Sequence, residues 1–121
     1  MVVRLRDAVI ESIDDTETKR LKLVQISSKE EGAKITLELP EALCDTLNPQ
    51  DSIVVVIDSK PLTRGEKSKL YLESKVFRTS DNGGLNVIGA IGGLRLVVNL
   101  TKPTTAQKNT FDSDKVYFMI Q

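Results

Sequence analysis

The sequence predicts an all-β fold of eight short strands, best accommodated by a closed barrel. Three observations carry that prediction. Hydrophobicity recurs with a period of two rather than 3.6, turn-forming residues punctuate the chain at short intervals, and only one segment of about seven residues is marked as helical. Eight short strands in an open sheet would also leave pairing edges, which closure removes. At 121 residues the chain is long enough for one domain spanning 1–121 and a core of its own.

The first two strands are expected at roughly residues 3–13 and 20–27, and the third at 33–39. In the third, Lys34-Ile35-Thr36-Leu37-Glu38-Leu39 alternates without a fault and puts Ile35, Leu37 and Leu39 on one buried face. Pro40 then opens a helical turn to Leu47, since its missing N–H is tolerated in a first turn, and Asn48-Pro49 closes it. The fourth strand, 52–58, is continuously β-branched from Ile53 to Ile57, as expected of a strand covered on both sides. Strands at 70–79 and 85–91 flank Asp81-Asn82-Gly83-Gly84, whose Asn-Gly pair suits a type I′ hairpin turn, so the two should pair antiparallel. The last two strands fall at 94–100 and 115–121.

Gly92 and Gly93 interrupt an otherwise apolar run, although glycine weakens a strand interior. Two roles are open to them. They could let a strand kink or bulge at a barrel corner, between an inward Ile91 and the alternating Leu94, Leu96, Val98 and Leu100, or their missing side chains could admit a neighbouring backbone. The order of elements is also doubled. Residues 3–58 run strand, strand, strand, helical turn, strand, and residues 70–121 run strand, strand, strand, long connection, strand, with negligible identity between them. Two four-stranded units joined into one barrel fit this best; a plain barrel or a sandwich stays open.

Basic and acidic side chains both number 17, which disfavours a globally basic nucleic-acid binder. Their distribution is uneven: residues 1–60 hold 8 basic and 12 acidic groups, residues 61–121 hold 9 and 5. Lys60, Arg64, Lys67, Lys69, Lys75 and Arg78 face only Glu66 and Glu73, giving either a solvated edge or a positive patch for phosphate or an acidic partner. The single cysteine, Cys44, excludes an internal disulfide, and the chain shows no signal-peptide pattern or long apolar run; the expectation is a soluble protein of a reducing compartment without membrane partners.

Catalytic chemistry is poorly supplied. There is no histidine, so the commonest general base and transition-metal ligand is missing. Cys44, between Leu43 and Leu47, reads as a packed small hydrophobe. Neither a Walker-type phosphate loop nor a dinucleotide fingerprint is present. The pairs Asp14-Asp15 and Glu30-Glu31, like Asp112 and Asp114, read as solvated turn residues; no catalytic residue, metal site or cofactor is expected. Single-stranded nucleic acid binding is the alternative function, with Tyr71, Lys75, Phe77 and Arg78 on one basic strand as its contacts.

The segments Lys34–Leu39, Gln50–Ile57, Leu70–Phe77, Ile91-Gly92-Gly93-Leu94-Arg95-Leu96 and Val116–Ile120 occur in an order and spacing that resemble a known family. It is the small eighth subunit shared by the eukaryotic nuclear RNA polymerases, together with its counterpart in the archaeal DNA-directed RNA polymerase, and the resemblance runs from about Ala8 to Gln121. It implies an eight-stranded antiparallel barrel of two oligonucleotide-binding-like (OB-fold-like) halves, and a non-catalytic subunit of DNA-directed RNA polymerase bound mainly to the largest subunit. The short connection between Asp58 and Leu70 departs from the long eukaryotic insertion and resembles the archaeal form, so the expected compartment is cytoplasm, or nucleus for a eukaryotic chain. Ile91, Gly92, Gly93, Leu94 and Arg95 are the expected partner contacts, through close backbone approach and strand addition.

Overall fold

A strand exposes successive side chains to opposite faces, so a period-two pattern becomes a barrel wall once the inward set is apolar. The computed structural model describes residues 2–45, 47–61, 70–80, 84–91 and 93–121. Eight strands form within them: β1 (Val2–Asp15), β2 (Leu21–Ser28), β3 (Ala33–Pro40), β4 (Ser52–Asp58), β5 (Leu70–Ser80), β6 (Leu85–Ile91), β7 (Leu94–Leu100) and β8 (Lys115–Ile120). Each lies within two residues of its expected place. A 3₁₀ turn, Glu41–Cys44, follows β3 within the span expected to be helical, with Pro40 as its cap residue.

The strands close into an antiparallel barrel in the order β1-β2-β3-β7-β6-β5-β8-β4, β4 returning to β1. Every strand has a partner on both sides, so the sandwich is excluded. The meander β1-β2-β3 with β4 beside β1 is matched by the meander β5-β6-β7 with β8 beside β5. The two sets meet along β3·β7 and β4·β8, which join equivalent strands.

Closure depends on the two long strands. β1 pairs with β4 from Val2 to Val9 and with β2 from Val9 to Asp15; β5 pairs with β8 from Leu70 to Lys75 and with β6 from Lys75 to Ser80. Just past each change of neighbour the ladder is bulged, between Ile10 and Ser12 in β1 and between Val76 and Arg78 in β5. A bulge bends a strand and raises its twist. The two are anchored alike: the Ile10 N–H donates to Asp51 O (3.0 Å) and the Val76 N–H to Asp114 O (2.8 Å), each aspartate directly preceding the closing strand of its set.

The bends therefore lie in β1 and β5, not at Gly92–Gly93. At the glycine pair the chain reverses, since Ile91 pairs with Leu94 across a two-residue hairpin connection. Gly93 has φ +87°, a conformation that favours glycine, and a Cβ there would meet nothing within 4 Å. Gly92, like the expected turn residues 81–83, lies outside the described residues. Close backbone approach is made by a different glycine, Gly89, inside β6. A Cβ there would stand 2.4 Å from Lys75 O and 3.0 Å from Ser74 Oγ, where β5 begins to bend. Ser74 is fully buried, and its hydroxyl proton is shared between Ala90 O (3.3 Å) and Lys75 O (3.2 Å).

The interior is filled from every strand: Leu5, Ile10, Ile26, Leu37, Ile57, Leu96, Ile120 and Phe118 are among its most buried members. Burying each such side chain contributes roughly 1.5–3 kcal/mol. Val56 is also buried, at 3 % exposure, beside its cross-strand partner Met119 on the outer side of the wall, whereas Val54 and Asp58 on that side are partly exposed, so the outer face of β4 is covered only in part. The opposite ends of the barrel are plugged by Leu47, after the 3₁₀ turn, and by Phe111, after a second helical element. That element, α1 (Thr105–Thr110), was expected to be irregular connection. A capping box nucleates it: the Gln107 N–H donates to Thr104 Oγ1 (3.1 Å) and the Thr104 N–H to Gln107 Oε1 (2.9 Å).

Gly89→Ala is expected to lower stability in urea by about 1–3 kcal/mol through overpacking, and Phe118→Ala by about 3–5 kcal/mol through the cavity it leaves. An unchanged midpoint for Gly89→Ala would show that β5 does not bend against β6 there.

Candidate binding face

Register decides which outward side chains become neighbours. On the inner side Val76, Gly89 and Leu96 line up, as do Thr79, Val87, Val98 and Ile35, so the residues between them face out. Three outward rows cross the sheet. Lys115, Lys75, Ala90 and Arg95 are successive partners from β8 to β7. Arg78, Ile88, Val97, Thr36 and Gln25 form the next, from β5 to β2, and Ser80, Asn86, Asn99, Lys34 and Ser27 the third.

The two groups of residues singled out from sequence thus meet in part. Arg95 of the hairpin stands in the same row as Lys75 of the basic strand, two strands away across the small Ala90. Phe77 is the extra residue of the β5 bulge and is 68 % exposed. The other members are less exposed or stand apart from this row. Ile91 turns into the core at 8 % exposure and is not a surface contact, because the alternation of β6 places it inward with Val87. Leu94 is only partly exposed. Tyr71 lies beyond Glu73 on the same strand, its ring 6.2 Å from that of Tyr117 at 46°. Arg64, Lys67 and Lys69 lie outside the described residues.

Charge on this face is unevenly compensated. Lys115 Nζ pairs with Glu73 Oε1 at 2.8 Å, and that hydrogen bond holds the ammonium pKa above its usual value. Glu38 Oε1 accepts the backbone N–H of Arg95 (3.0 Å), closing the seam where the β3·β7 ladder ends. Among the described residues, Lys34, Lys75 and Arg78 meet no carboxylate at ion-pair distance. Two shallow grooves border Thr36 on this wall. One, of about 510 Å³, is lined by Gln25, Ser27, Lys34, Asn99 and Thr101; the other, of about 350 Å³, by Leu23, Glu38, Arg95 and Val97. Sequence reasoning missed Lys34, Asn86 and Asn99, although each occupies an outward position of an alternating strand.

The remaining chemistry is structural. Cys44 is half-buried against the core, its Sγ–H donates to Pro40 O at 3.7 Å, and burial raises its thiol pKa. Asp15 pairs with Lys22, whose pKa the hydrogen bond raises, while Asp14, Glu30 and Glu31 are exposed. Among the described residues no three His, Cys, Asp or Glu side chains gather to hold a metal ion. Asp7 sits where the β1·β4 ladder shifts register. Its Oδ1 accepts the Ser28 hydroxyl and its Oδ2 the Glu30 N–H (3.2 Å), tying the β2–β3 turn to β1.

The Ser28 hydroxyl is the main cause of a lowered Asp7 pKa. A carboxyl that ionises more readily when folded adds stability above its unfolded pKa, and that stability is lost as pH falls through the folded value. Urea melts between pH 7 and pH 3 should therefore show a shallower acid-side decline for Asp7→Asn than for the wild type; parallel declines would remove Asp7 from the linkage.

No protein-family model matches the chain, and no curated protein matches it at significant similarity.

Proposed function

We propose that the chain is a non-catalytic subunit of DNA-directed RNA polymerase that docks on the largest subunit and supports assembly of the enzyme. The observation that carries this reading is the ordered run of segments described above. Each falls on a defined part of the barrel: Lys34–Leu39 within β3, Ser52–Ile57 within β4, Leu70–Phe77 within β5, Ile91–Leu96 across the β6–β7 hairpin and Val116–Ile120 within β8. The eight-stranded antiparallel barrel that the resemblance implies is the architecture of this chain. Its doubled strand order is compatible with two OB-fold-like halves.

Docking by strand addition at β6 or β7 is ruled out by closure, since both strands already have partners on each side. Contact falls instead to the hairpin tip and the adjoining wall. Gly93 is exposed there with open space around it, and Leu94 and Arg95 flank it. Ile91 anchors the hairpin from inside, and Gly92 lies outside the described residues. The short β4–β5 connection favours the archaeal form of the subunit and a cytoplasmic location.

Affinity-tagged chain expressed in its native host is expected to recover the largest polymerase subunit. Gly93→Trp and Arg95→Glu should each reduce that recovery several-fold while leaving the circular dichroism melting midpoint of the free chain within a few degrees of wild type. Purification of the tagged wild-type chain without any polymerase subunit would overturn the assignment. Full recovery with both variants would move the interface elsewhere on the barrel.

A further inference from the structure

The wall that carries Arg95 continues well beyond the hairpin, and its chemistry is not that of a passive scaffold. We propose that the outer face of β5, β6, β7 and β3 binds single-stranded nucleic acid, with Lys75, Arg78, Arg95 and Lys34 meeting phosphates and Phe77 offering a stacking surface. Strand spacing of about 4.8 Å places Lys75 and Arg95 roughly 10 Å apart and Arg78 and Lys34 roughly 15 Å apart along the sheet. Positive charges spread over such distances suit a polymer with repeated phosphates better than one compact anion.

Between the cations the wall offers what bases use. Asn86, Asn99 and Gln25 supply both donors and acceptors in two adjacent rows, above the groove of about 510 Å³. Phe77 is a large aromatic ring left 68 % exposed by the bulge, beside Arg78. A cationic track with an exposed aromatic is the usual construction of a sequence-tolerant single-strand site. Three acids border the face: Glu73 is paired with Lys115, Glu38 accepts the Arg95 N–H, and Glu11, on the rim of the larger groove, accepts the Ser27 hydroxyl, so the cations outnumber the acids not paired with a cation by four to two. Tyr71, expected from sequence to share this role, is partly exposed, with its ring 6.2 Å from that of Tyr117 at 46°.

Fluorescence anisotropy of the full chain with labelled oligothymidylate and oligouridylate tests this, and the tighter of the two identifies the preferred sugar. Each neutralised phosphate contributes about 0.7 to the logarithmic salt slope for single strands, so four contacts predict a fall in affinity of about fifty-fold between 50 and 200 mM salt. Lys75→Ser combined with Arg95→Ser should flatten the slope by about 1.4. Phe77→Ala should weaken binding about five- to a hundred-fold and leave the slope unchanged, whereas Lys19→Ser, in the distant β1–β2 turn, should change neither quantity. Absence of binding at 50 mM salt overturns the proposal, as does wild-type affinity in all the face variants. Displacement of the oligonucleotide by polyglutamate of equal charge, with no effect of Phe77→Ala, would also overturn it and assign the face to an acidic protein partner.

Discussion

Everything in this molecule depends on a sheet closing on itself, and closure rests on two strands that change partners halfway along. β1 and β5 each leave one neighbour and take up another, at Val9 and at Lys75. A strand cannot do this while remaining straight, because the twist needed to meet the second neighbour exceeds what regular pleating supplies. One inserted residue on each strand provides the bend. The carbonyls of Asp51 and Asp114 then hold the preceding N–H groups, so the backbone at each bend keeps a hydrogen-bonding partner.

The same device governs what the barrel presents to its surroundings. Closure satisfies the strand edges, which leaves the outer wall and the hairpin tips as the surfaces on which another molecule can be recognised. The β5 bulge has a second consequence there, since the inserted residue is Phe77, left largely in solvent beside Arg78. On β1 the equivalent residue is Glu11, which accepts a hydrogen bond from Ser27 on the neighbouring strand. Two bends of the same construction thus produce one polar surface and one aromatic, cationic surface. The symmetry belongs to the backbone and the asymmetry to the side chains.

That division explains why the doubling is faint in the sequence. What repeats is strand order, the bulge, its carbonyl anchor and a plug for each end of the barrel. The plugs are Leu47 in one half and Phe111 in the other, reached through a 3₁₀ turn in one case and a capped helix in the other. None of these requires the same residue type at matching positions. The helix α1 escaped sequence reasoning for a related reason: six residues are too few to show a period of 3.6, and only the Thr104 and Gln107 pair marked its start.

Alternation and turn chemistry alone determined the eight strands, much of the inward set and the antiparallel pairing of β5 with β6, because these follow from the local geometry of a pleated chain. The reversal between Ile91 and Leu94 is equally local, yet a bend or a close backbone approach was the expectation there, because two glycines suit each of these as well as a tight turn. What tertiary structure decided was adjacency. That Arg95 would stand level with Lys75, that Lys34 and Asn99 would pair, and that Gly89 would be the point of close contact all depend on register between segments far apart in the chain, above all β3 with β7. Register across such distances is set by how the whole interior packs when the barrel closes, and no single stretch of residues contains it.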